Sequence, residues 1–323
     1  MHGNKGPGSV NSFYQHGLLD PRPTEAAERA NAALLGAKTL GIEVTEARLT
    51  ARCGLGNIDP QHSPDGGAIA AVEAALGWPL PSAGAVLVTI RPDADAYGAM
   101  AVLGLRADGI GPDMPARTRI ALIAREDRFD RGGWPGPRAL PESAAEIDEV
   151  GPGEQNLGAL SQNLSDPMLV PEAAVAATRR WLTSGDLPIG WRDRAAGAPA
   201  ALFDAFRDGR VRLTAPDPGR IALVDGSVPG ALRLGYRLAP VVIALDERKR
   251  GTPPMPCRRL IVAQWRAEHV DLVRAAAMLA TEEPGWGGSP TIIGSPQGEP
   301  CRTPTARVLA VLRACATASP PQS

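Results

Sequence analysis

Two carboxylates stand two residues apart in the segment RPDADAY, directly after an apolar run. Asp93 and Asp95 would project from one edge of a strand, where their mutual repulsion is costly unless a cation lies between them. Carboxylate oxygens are ligands that Mn²⁺ and Mg²⁺ prefer, so both residues are candidate metal ligands. The alternative is structural: Asp95 caps the N-terminus of the next helix and Asp93 is solvated.

A second candidate pair lies upstream, in a glycine-flanked loop at 53–67 (CGLGNIDPQHSPDGG). Asp59 and His62 place a carboxylate and an imidazole three residues apart in that loop. Both could ligate a metal, and His62 could also act as an acid or a base in catalysis. The alternative is an Asp-Pro turn with an exposed histidine.

A third group, Asp127 and Asp130, follows the apolar segment RIALIA at 119–124. Asp127 lies nearer to the end of that segment, which makes it the stronger of the two candidates for metal binding and catalysis. The alternative is that the stretch REDRFDRG is a solvated, charged loop.

The elements that must bring these residues together follow the pattern of a parallel α/β sheet. The runs at 85–90 and 119–124 are short and continuously apolar, which is typical of strands buried on both faces. The alternation at 42–52 predicts a half-buried strand. Ligands of such sheets lie beyond the carboxyl ends of the strands, so the three acidic groups are expected to meet there. Helices of this first unit are predicted at 24–41, 68–76 and 99–107.

The chain is predicted to form two domains, 1–195 and 200–323, with a linker at 184–199. The apolar runs of the second domain predict strands at 220–224, 239–246 and 258–264. The remaining helices are predicted at 172–183, 199–208, 268–280 and 305–316. Irregular segments are expected at 1–22 and 131–157, which are rich in glycine and proline.

A glycine turn at 285–288 precedes a short apolar segment in the second domain. Glycines let a backbone come close to an anion and offer it amide donors. Gly287, Gly288 and Ser289 are therefore candidate substrate-binding residues. The alternative is an ordinary surface turn.

Composition restricts the class of protein further. The 323 residues carry 34 Lys and Arg against 35 Asp and Glu, a formal net charge of −1, which argues against a protein that mainly binds long nucleic acid. No apolar run has the length of a secretory signal or a membrane span. The 4 cysteines lack both metal-site spacing and a disulfide framework, so free thiols and a cytoplasmic location are expected.

The segment AVLVTIRPDADAYGAMAVL resembles the first motif of the DHH-type phosphoesterases, a strand followed by His-Pro-Asp-x-Asp-x-x-Gly and a helix. Asp93, Asp95 and Gly98 match that motif, and Arg91 stands where the family has a metal-binding histidine. The stretch at 236–295 is similar to the family's DHHA1 substrate-binding domain, with a serine replacing the histidine of its Gly-Gly-His turn. The Asp-His-His triplet itself is absent, and the nearest segment to it, NIDPQHS, lies upstream of the first motif.

The resemblance implies a parallel-sheet DHH-like domain, a smaller α/β DHHA1-like domain and a cleft between them. Two Mn²⁺ (or Mg²⁺) ions in the cleft would activate a water for attack on phosphorus. Arg91 could bind a phosphate oxygen. The expected metal ligands are Asp59, His62, Asp93, Asp95 and Asp127.

The expected function is therefore a metal-dependent phosphoesterase acting on a small nucleotide or phosphorylated metabolite. Two alternatives remain open at this point: a non-catalytic nucleotide- or anion-binding protein with the same fold, and a different α/β enzyme. A homodimer is a further expectation, and neither long nucleic acid nor a membrane is expected as a partner.

Overall fold

The computed structural model describes residues 13–60, 69–127, 134–147, 152–166, 168–247, 249–250, 255–256, 258–296 and 299–317. Its strands are β1 Gln15–Leu18, β2 Thr39–Ile42, β3 Asn57–Ile58, β4 Val86–Thr89, β5 Arg212–Asp217, β6 Ile221–Asp225, β7 Val241–Asp246, β8 Lys249–Arg250, β9 Met255–Pro256, β10 Arg259–Gln264, β11 Gly287–Gly288 and β12 Ile292–Gly294. Its helices are α1 Glu25–Ala32, α2 Ala47–Thr50, α3 Ala71–Ala74, α4 Ala94–Ala107, α5 Met114–Asp127, α6 Pro152–Leu164, α7 Pro171–Ser184, α8 Trp191–Ala196, α9 Ala198–Arg207, α10 Ala231–Gly235, α11 Leu272–Ala280 and α12 Thr305–Ala314, with a 3-10 helix at Ala144–Ile147.

The first sheet is four-stranded and wholly parallel, in the order β1-β4-β2-β3. Its central strand β4 is the apolar run predicted at 85–90, and Leu87, Val88 and Thr89 are buried. Val88 pairs with Gly17 on one side and with Gly41 on the other. The predicted parallel sheet is therefore confirmed. Because all four strands run in the same direction, their carboxyl ends lie at one edge of the sheet.

Helices α3, α4, α5 and α7 pack together and cover this sheet. Helix α4 starts directly beyond β4, and most of its length is buried. Gly98 lies where α4 meets α3 and α5, because a Cβ at this position would come within 3.0 Å of Val72 and 3.2 Å of Ile123. The glycine of the predicted strand–loop–helix motif therefore has a packing role.

The segment at 119–124 is not a strand, and this prediction was wrong. It lies inside α5, whose buried residues Ala116, Ile120, Ile123 and Ala124 recur at helical spacing. A short apolar run cannot distinguish a buried strand from the buried stripe of a helix. The flanking residues make the difference here, because the run continues into the polar residues of a longer amphipathic helix.

Other element predictions also need correction. Only the first residue of the strand predicted at 42–52 belongs to β2, and the segment continues into α2. The helix predicted at 24–41 ends at Ala32. The described part of the predicted irregular arm contains β1, whose backbone pairs with β4, and the predicted loop at 131–157 contains the 3-10 helix and the start of α6. The predicted linker contains α8.

The second sheet is mixed, in the order β11-β12-β10-β7-β6-β5. The pair β6–β7 is parallel and its other neighbouring strands are antiparallel. The strands predicted at 220–224, 239–246 and 258–264 are β6, β7 and β10. Helices α11 and α12 contribute to one hydrophobic cluster on this sheet, and α9 and α10 contribute to another.

The two halves of the chain are in contact. The indole of Trp134 donates to the carbonyl of Tyr236 at 2.9 Å, and the amide of Arg138 donates to the carbonyl of Arg237 at 2.8 Å. The described cysteines, Cys53, Cys301 and Cys315, are buried free thiols, as predicted. The exact boundary predicted between 195 and 200 stays a prediction.

Candidate metal centre

An acidic cluster lies at the carboxyl edge of the first sheet. Glu43 follows β2 directly, and Asp93 and Asp95 lie between β4 and the first turn of α4. Asp127 is the last residue of α5, and it reaches the same place from the end of a helix rather than from a strand. The carboxylates of Glu43, Asp95 and Asp127 offer one oxygen each, and these oxygens all lie within 4.8 Å of one another.

Glu43 has the least ordinary environment of the cluster. Its side chain is buried, with 1% of the residue exposed, and one carboxylate oxygen, Oε2, has no hydrogen-bond partner among the described residues. Its backbone is in the left-handed region with φ of 52°, which costs a residue with a Cβ on the order of 1 kcal/mol or more. A strained backbone that presents an unpaired, buried acceptor is a feature that proteins retain at functional sites.

Asp95 is held rigidly by a neighbouring helix. Its two carboxylate oxygens accept hydrogen bonds from the amides of Ala71 and Val72 at the start of α3, both at 2.8 Å. Asp93, not Asp95, caps α4, because its carboxylate accepts from the amide of Ala96 at 2.9 Å. The structural alternative had Asp95 as the cap of the next helix and Asp93 in solvent. In the structure Asp93 caps that helix, α4, and Asp95 caps α3 instead.

Arg91 lies beside these carboxylates. Its guanidinium is 3.8 Å from the carboxylate of Glu43, and the charges of Asp93, Asp59 and Asp127 also act on it. Burial would lower the pKa of Arg91, and the surrounding carboxylates outweigh that effect and raise it. Arg91 therefore stays a cation and supplies positive charge within the cluster.

The acids of the cluster hold their protons more tightly than usual. Burial is the main reason that the pKa of Glu43 and the pKa of Asp95 lie well above their ordinary values, and repulsion from neighbouring carboxylates adds to it. For Asp95 the hydrogen bonds from α3 act in the opposite direction without overcoming burial. Burial also raises the pKa of Asp93 to about 6, against the effect of its own capping bond.

These shifts predict that the cation-free protein loses stability as the pH rises through about 6. A raised pKa in the folded state means that the folded protein binds more protons than the unfolded chain between about pH 4 and pH 6, so ionisation favours unfolding. The Asp93→Asn variant keeps a capping residue at this position but cannot ionise there. Between about pH 4 and pH 6 its free energy of unfolding should therefore fall less than that of the wild type, by on the order of 2 kcal/mol. Thermal unfolding in chelator from pH 4 to pH 8 measures this, and parallel profiles for the two proteins would contradict it.

The second half of the chain contacts the end of α5. Arg233 on α10 forms an ion pair with Glu126 at 2.7 Å, one residue before Asp127. This exposed ion pair joins α10 to the helix end that carries the third carboxylate. The predicted cleft between two domains stays a prediction.

The other predicted site residues are Asp59, His62 and the glycine turn of the second sheet. Asp59 follows β3 at the same sheet edge, whereas His62 falls outside the described residues. Gly287 and Gly288 form β11, and Ser289 begins the hairpin turn between β11 and β12.

Local contacts explain the residue types in this hairpin. Gly288 has a φ of 146°, and a Cβ there would lie 2.2 Å from the carbonyl oxygen of Ile292. The Ser289 amide donates to that same carbonyl at 2.7 Å. The hairpin therefore needs its second glycine for close backbone approach, and the predicted role in substrate binding stays a prediction.

Glu43 is the member of the cluster that the sequence analysis missed. It stands in the segment LGIEVTEAR, where its alternation with apolar neighbours predicts the exposed face of a strand. A usable signal is that the residue directly follows the apolar run of β2, as Arg91 follows that of β4. The carboxyl ends of parallel strands collect functional side chains, and that rule applies to both positions.

No protein-family model matches the chain, and no curated protein matches it either. Within the described part of the chain, none of the helices combines the length and the apolar character that crossing a bilayer requires. The class that the fold and the site define is a mixed α/β protein with a buried acidic cluster able to hold a cation. The function is proposed from that cluster.

Proposed function

We propose that the protein is a divalent-cation-dependent phosphoesterase whose cation, Mn²⁺ or Mg²⁺, is held by Glu43, Asp95 and Asp127. The observation that carries this proposal is the buried Glu43 carboxylate oxygen, which no described residue pairs with, in a cluster of three carboxylates whose oxygens lie within 4.8 Å of one another. Three such carboxylates repel one another strongly in a partly dry environment, and the single guanidinium of Arg91 balances only part of their charge.

The donor set fits a hard divalent cation. The ligands on offer are carboxylate oxygens, which suit Mg²⁺ and Mn²⁺ better than they suit softer metals. Asp95 is already oriented by two backbone amides, an outer-shell arrangement that fixes a ligating carboxylate in place. A cation held there would supply charge for a phosphoryl oxygen and would lower the pKa of a water molecule beside it.

The chain's own residues supply the other functions that phosphoryl chemistry needs. The Arg91 guanidinium can donate to phosphate oxygens, and it stays charged among the carboxylates. Asp127 is half-buried at a helix end, so it is the carboxylate of the three that solvent reaches, and it is the candidate to accept a proton from the attacking water. Asp93, with a pKa of about 6, can hold or release a proton near neutral pH.

The resemblance to DHH-type phosphoesterases supports the same proposal. Asp93, Asp95 and Gly98 match the first family motif, and in this protein they stand in the strand–loop–helix context that the motif requires. Arg91, in the position of a family histidine, lies 3.8 Å from Glu43. We therefore propose one cation and one guanidinium in this site, in place of the pair of cations that the family implies.

The Arg91–Glu43 ion pair also favours a second candidate function. A cluster already partly balanced by a guanidinium could serve a metal-free protein that binds a phosphorylated ligand without hydrolysing it. This candidate predicts ligand-induced stabilisation that chelator does not remove, whereas the phosphoesterase requires the cation.

The deciding experiment counts Mn²⁺ per chain by elemental analysis after reconstitution and desalting, and then assays hydrolysis of p-nitrophenyl phosphate. We expect about one ion per chain and Mn²⁺-dependent turnover, since one cluster of three ligands is offered. Asp127→Asn should lose both, and Asp186→Asn, which changes an exposed acid outside the cluster, should lose neither. Absence of bound Mn²⁺ in the wild-type protein would overturn the proposal in favour of the metal-free binding protein.

A further inference from the structure

Strand β1 lies at an edge of the first sheet. It pairs with β4 on one side, and within the described part of the chain no strand pairs with its other side. The amides of Gln15 and Leu19 donate to carbonyls of the β4 segment at 3.0 and 2.8 Å. Because the backbone groups of successive strand residues point to alternate sides, those of His16 and Leu18 are directed away from β4.

Both faces of β1 are covered by the chain itself. On one face Tyr14 belongs to the hydrophobic core that includes α4 and α7, and α7 packs against the strand. On the other face a Cβ at Gly17 would come within 2.8 Å of Leu34. The outer edge is what remains open to a partner, and Leu18 and Phe13 near its two ends are 40% and 38% exposed.

The other sheet edges are protected against pairing, whereas β1 is not. Strand β5 has a register shift between Thr214 and Asp217 and contains Pro216, whose carbonyl accepts from Arg313 at 2.7 Å. Strands β3 and β11, at the remaining edges of the two sheets, are two residues long. Bulges, prolines, charges and short length are the devices that keep edge strands from pairing. The segment at 13–19 (FYQHGLL) has no proline and no charged residue, and β1 pairs with β4 in regular register.

We propose that β1 pairs in antiparallel orientation with β1 of a second copy of the chain, around a two-fold axis at His16, so that two four-stranded sheets become one sheet of eight strands. His16 is the middle one of the three residues, with Tyr14 and Leu18, whose backbone groups point outward, and all three would find partners in this register. The inference does not depend on the proposed function, because the carboxylate cluster takes no part in the pairing.

The absence of charge at 13–19 favours a second copy as the occupant of this edge. A two-fold axis brings the same segment of both copies together, so any charged side chain near the axis would face its own copy. Like charges opposite one another oppose strand pairing, and an uncharged edge avoids that cost. The exposed apolar side chains of Phe13 and Leu18 would be partly covered by the second copy.

Sedimentation velocity of the full chain in chelator, over a range of micromolar concentrations, tests the pairing. We expect the mass of two chains. Leu18→Lys should raise the dissociation constant of the dimer at least about tenfold, since a lysine on an edge strand opposes pairing. The matched control is Val273→Lys on α11, which also changes an exposed apolar residue and should leave the dimer unchanged. Single chains in the wild-type protein would overturn the proposal and leave the edge to a strand of another protein.

Cross-linking tests the register without relying on Leu18. Residues directly opposite in a hydrogen-bonded antiparallel pair have Cα atoms about 5.5 Å apart, within the span of a disulfide, whereas diagonal neighbours are about 7–8 Å apart. His16→Cys should therefore form an intermolecular disulfide under mild oxidation. Gln15→Cys, which would lie opposite Gly17 of the second copy, should not.

The wild-type protein, whose described cysteines are buried, sets the background for this cross-linking. A disulfide through Gln15→Cys but not through His16→Cys would overturn the pairing around His16. Wild-type dimer affinity in Leu18→Lys would overturn the assignment of the interface to β1.

Discussion

Replacing Glu43 with glutamine should abolish Mn²⁺ binding and, at the same time, raise the stability of the cation-free protein at pH 7.5. The Glu43 carboxyl is buried, and within the described part of the chain one of its oxygens has no partner. Its pKa lies well above the ordinary value because burial and neighbouring carboxylates oppose ionisation. Glutamine is nearly isosteric and uncharged, so it removes the penalty and also removes the ligand.

The expected sizes are large enough to measure. Mn²⁺ affinity should fall at least about a hundredfold, on the order of 3 kcal/mol of binding free energy, and turnover should disappear with it. The free energy of unfolding without cation should rise by about 1 kcal/mol. This gain should be larger at pH 7.5 than at pH 5, since the raised pKa means that the wild-type protein loses stability as the carboxyl ionises.

Calorimetric titration with Mn²⁺ and thermal unfolding in chelator test both parts of this prediction. The matched control is Glu46→Gln, three residues further on and outside the three-carboxylate cluster, which should leave Mn²⁺ affinity unchanged. Wild-type Mn²⁺ affinity in Glu43→Gln would show that Glu43 is not a ligand. A loss of stability in the variant would show that the buried carboxylate is structural.

The second large effect is expected at Asp95, with the opposite sign for stability. Asp95→Ala removes the acceptor for two buried amides, those of Ala71 and Val72, and an unpaired buried amide costs about 1–3 kcal/mol. Relief of repulsion within the cluster offsets only part of this loss. We expect a net loss of about 2 kcal/mol in the free energy of unfolding, together with loss of Mn²⁺ binding.

The conservative variant separates the two roles of this side chain. Asp95→Asn keeps one acceptor oxygen, so it should lose Mn²⁺ binding and turnover while retaining more of the stability than Asp95→Ala does. Urea unfolding of the three proteins in chelator ranks them. An Asp95→Ala protein as stable as the wild type would contradict the role of this residue as the cap of α3.

The sequence was most informative where a segment is buried on both faces. The run at 85–90 predicted β4 correctly, and three runs in the second half predicted β6, β7 and β10. These predictions succeed because a strand that is buried on both faces is apolar at every position, which the sequence shows directly. The same reasoning failed at 119–124, since the buried stripe of α5 has the same local composition. Periodicity over the longer window, from Ala116 to Ala124, carries the helical signal.

The candidate site was predicted in part, and for unequal reasons. Asp95 was proposed because it stands two residues from Asp93 after an apolar run. Asp127 was proposed because it follows the strand predicted at 119–124, a segment that is part of α5. The end of α5 nevertheless brings Asp127 into the carboxylate cluster, although the element predicted to carry it was wrong, and its role in metal binding stays a prediction. Glu43 was missed because the local alternation predicts an exposed strand position, whereas its left-handed backbone and its burial are set by the tertiary structure.

The strand order of the first sheet has a consequence for how the protein is made. β4 lies between β1 and β2 although it is the last of the four strands to be synthesised, so β1 leaves the ribosome with no strand to pair with until residue 89 follows. The three carboxylates meet only after α5 has been completed as well. A cation at this cluster therefore cannot assist the early steps of folding, because its three ligands come together only when the sheet and α5 are complete. Such a cation would lower the rate of unfolding rather than raise the rate of folding.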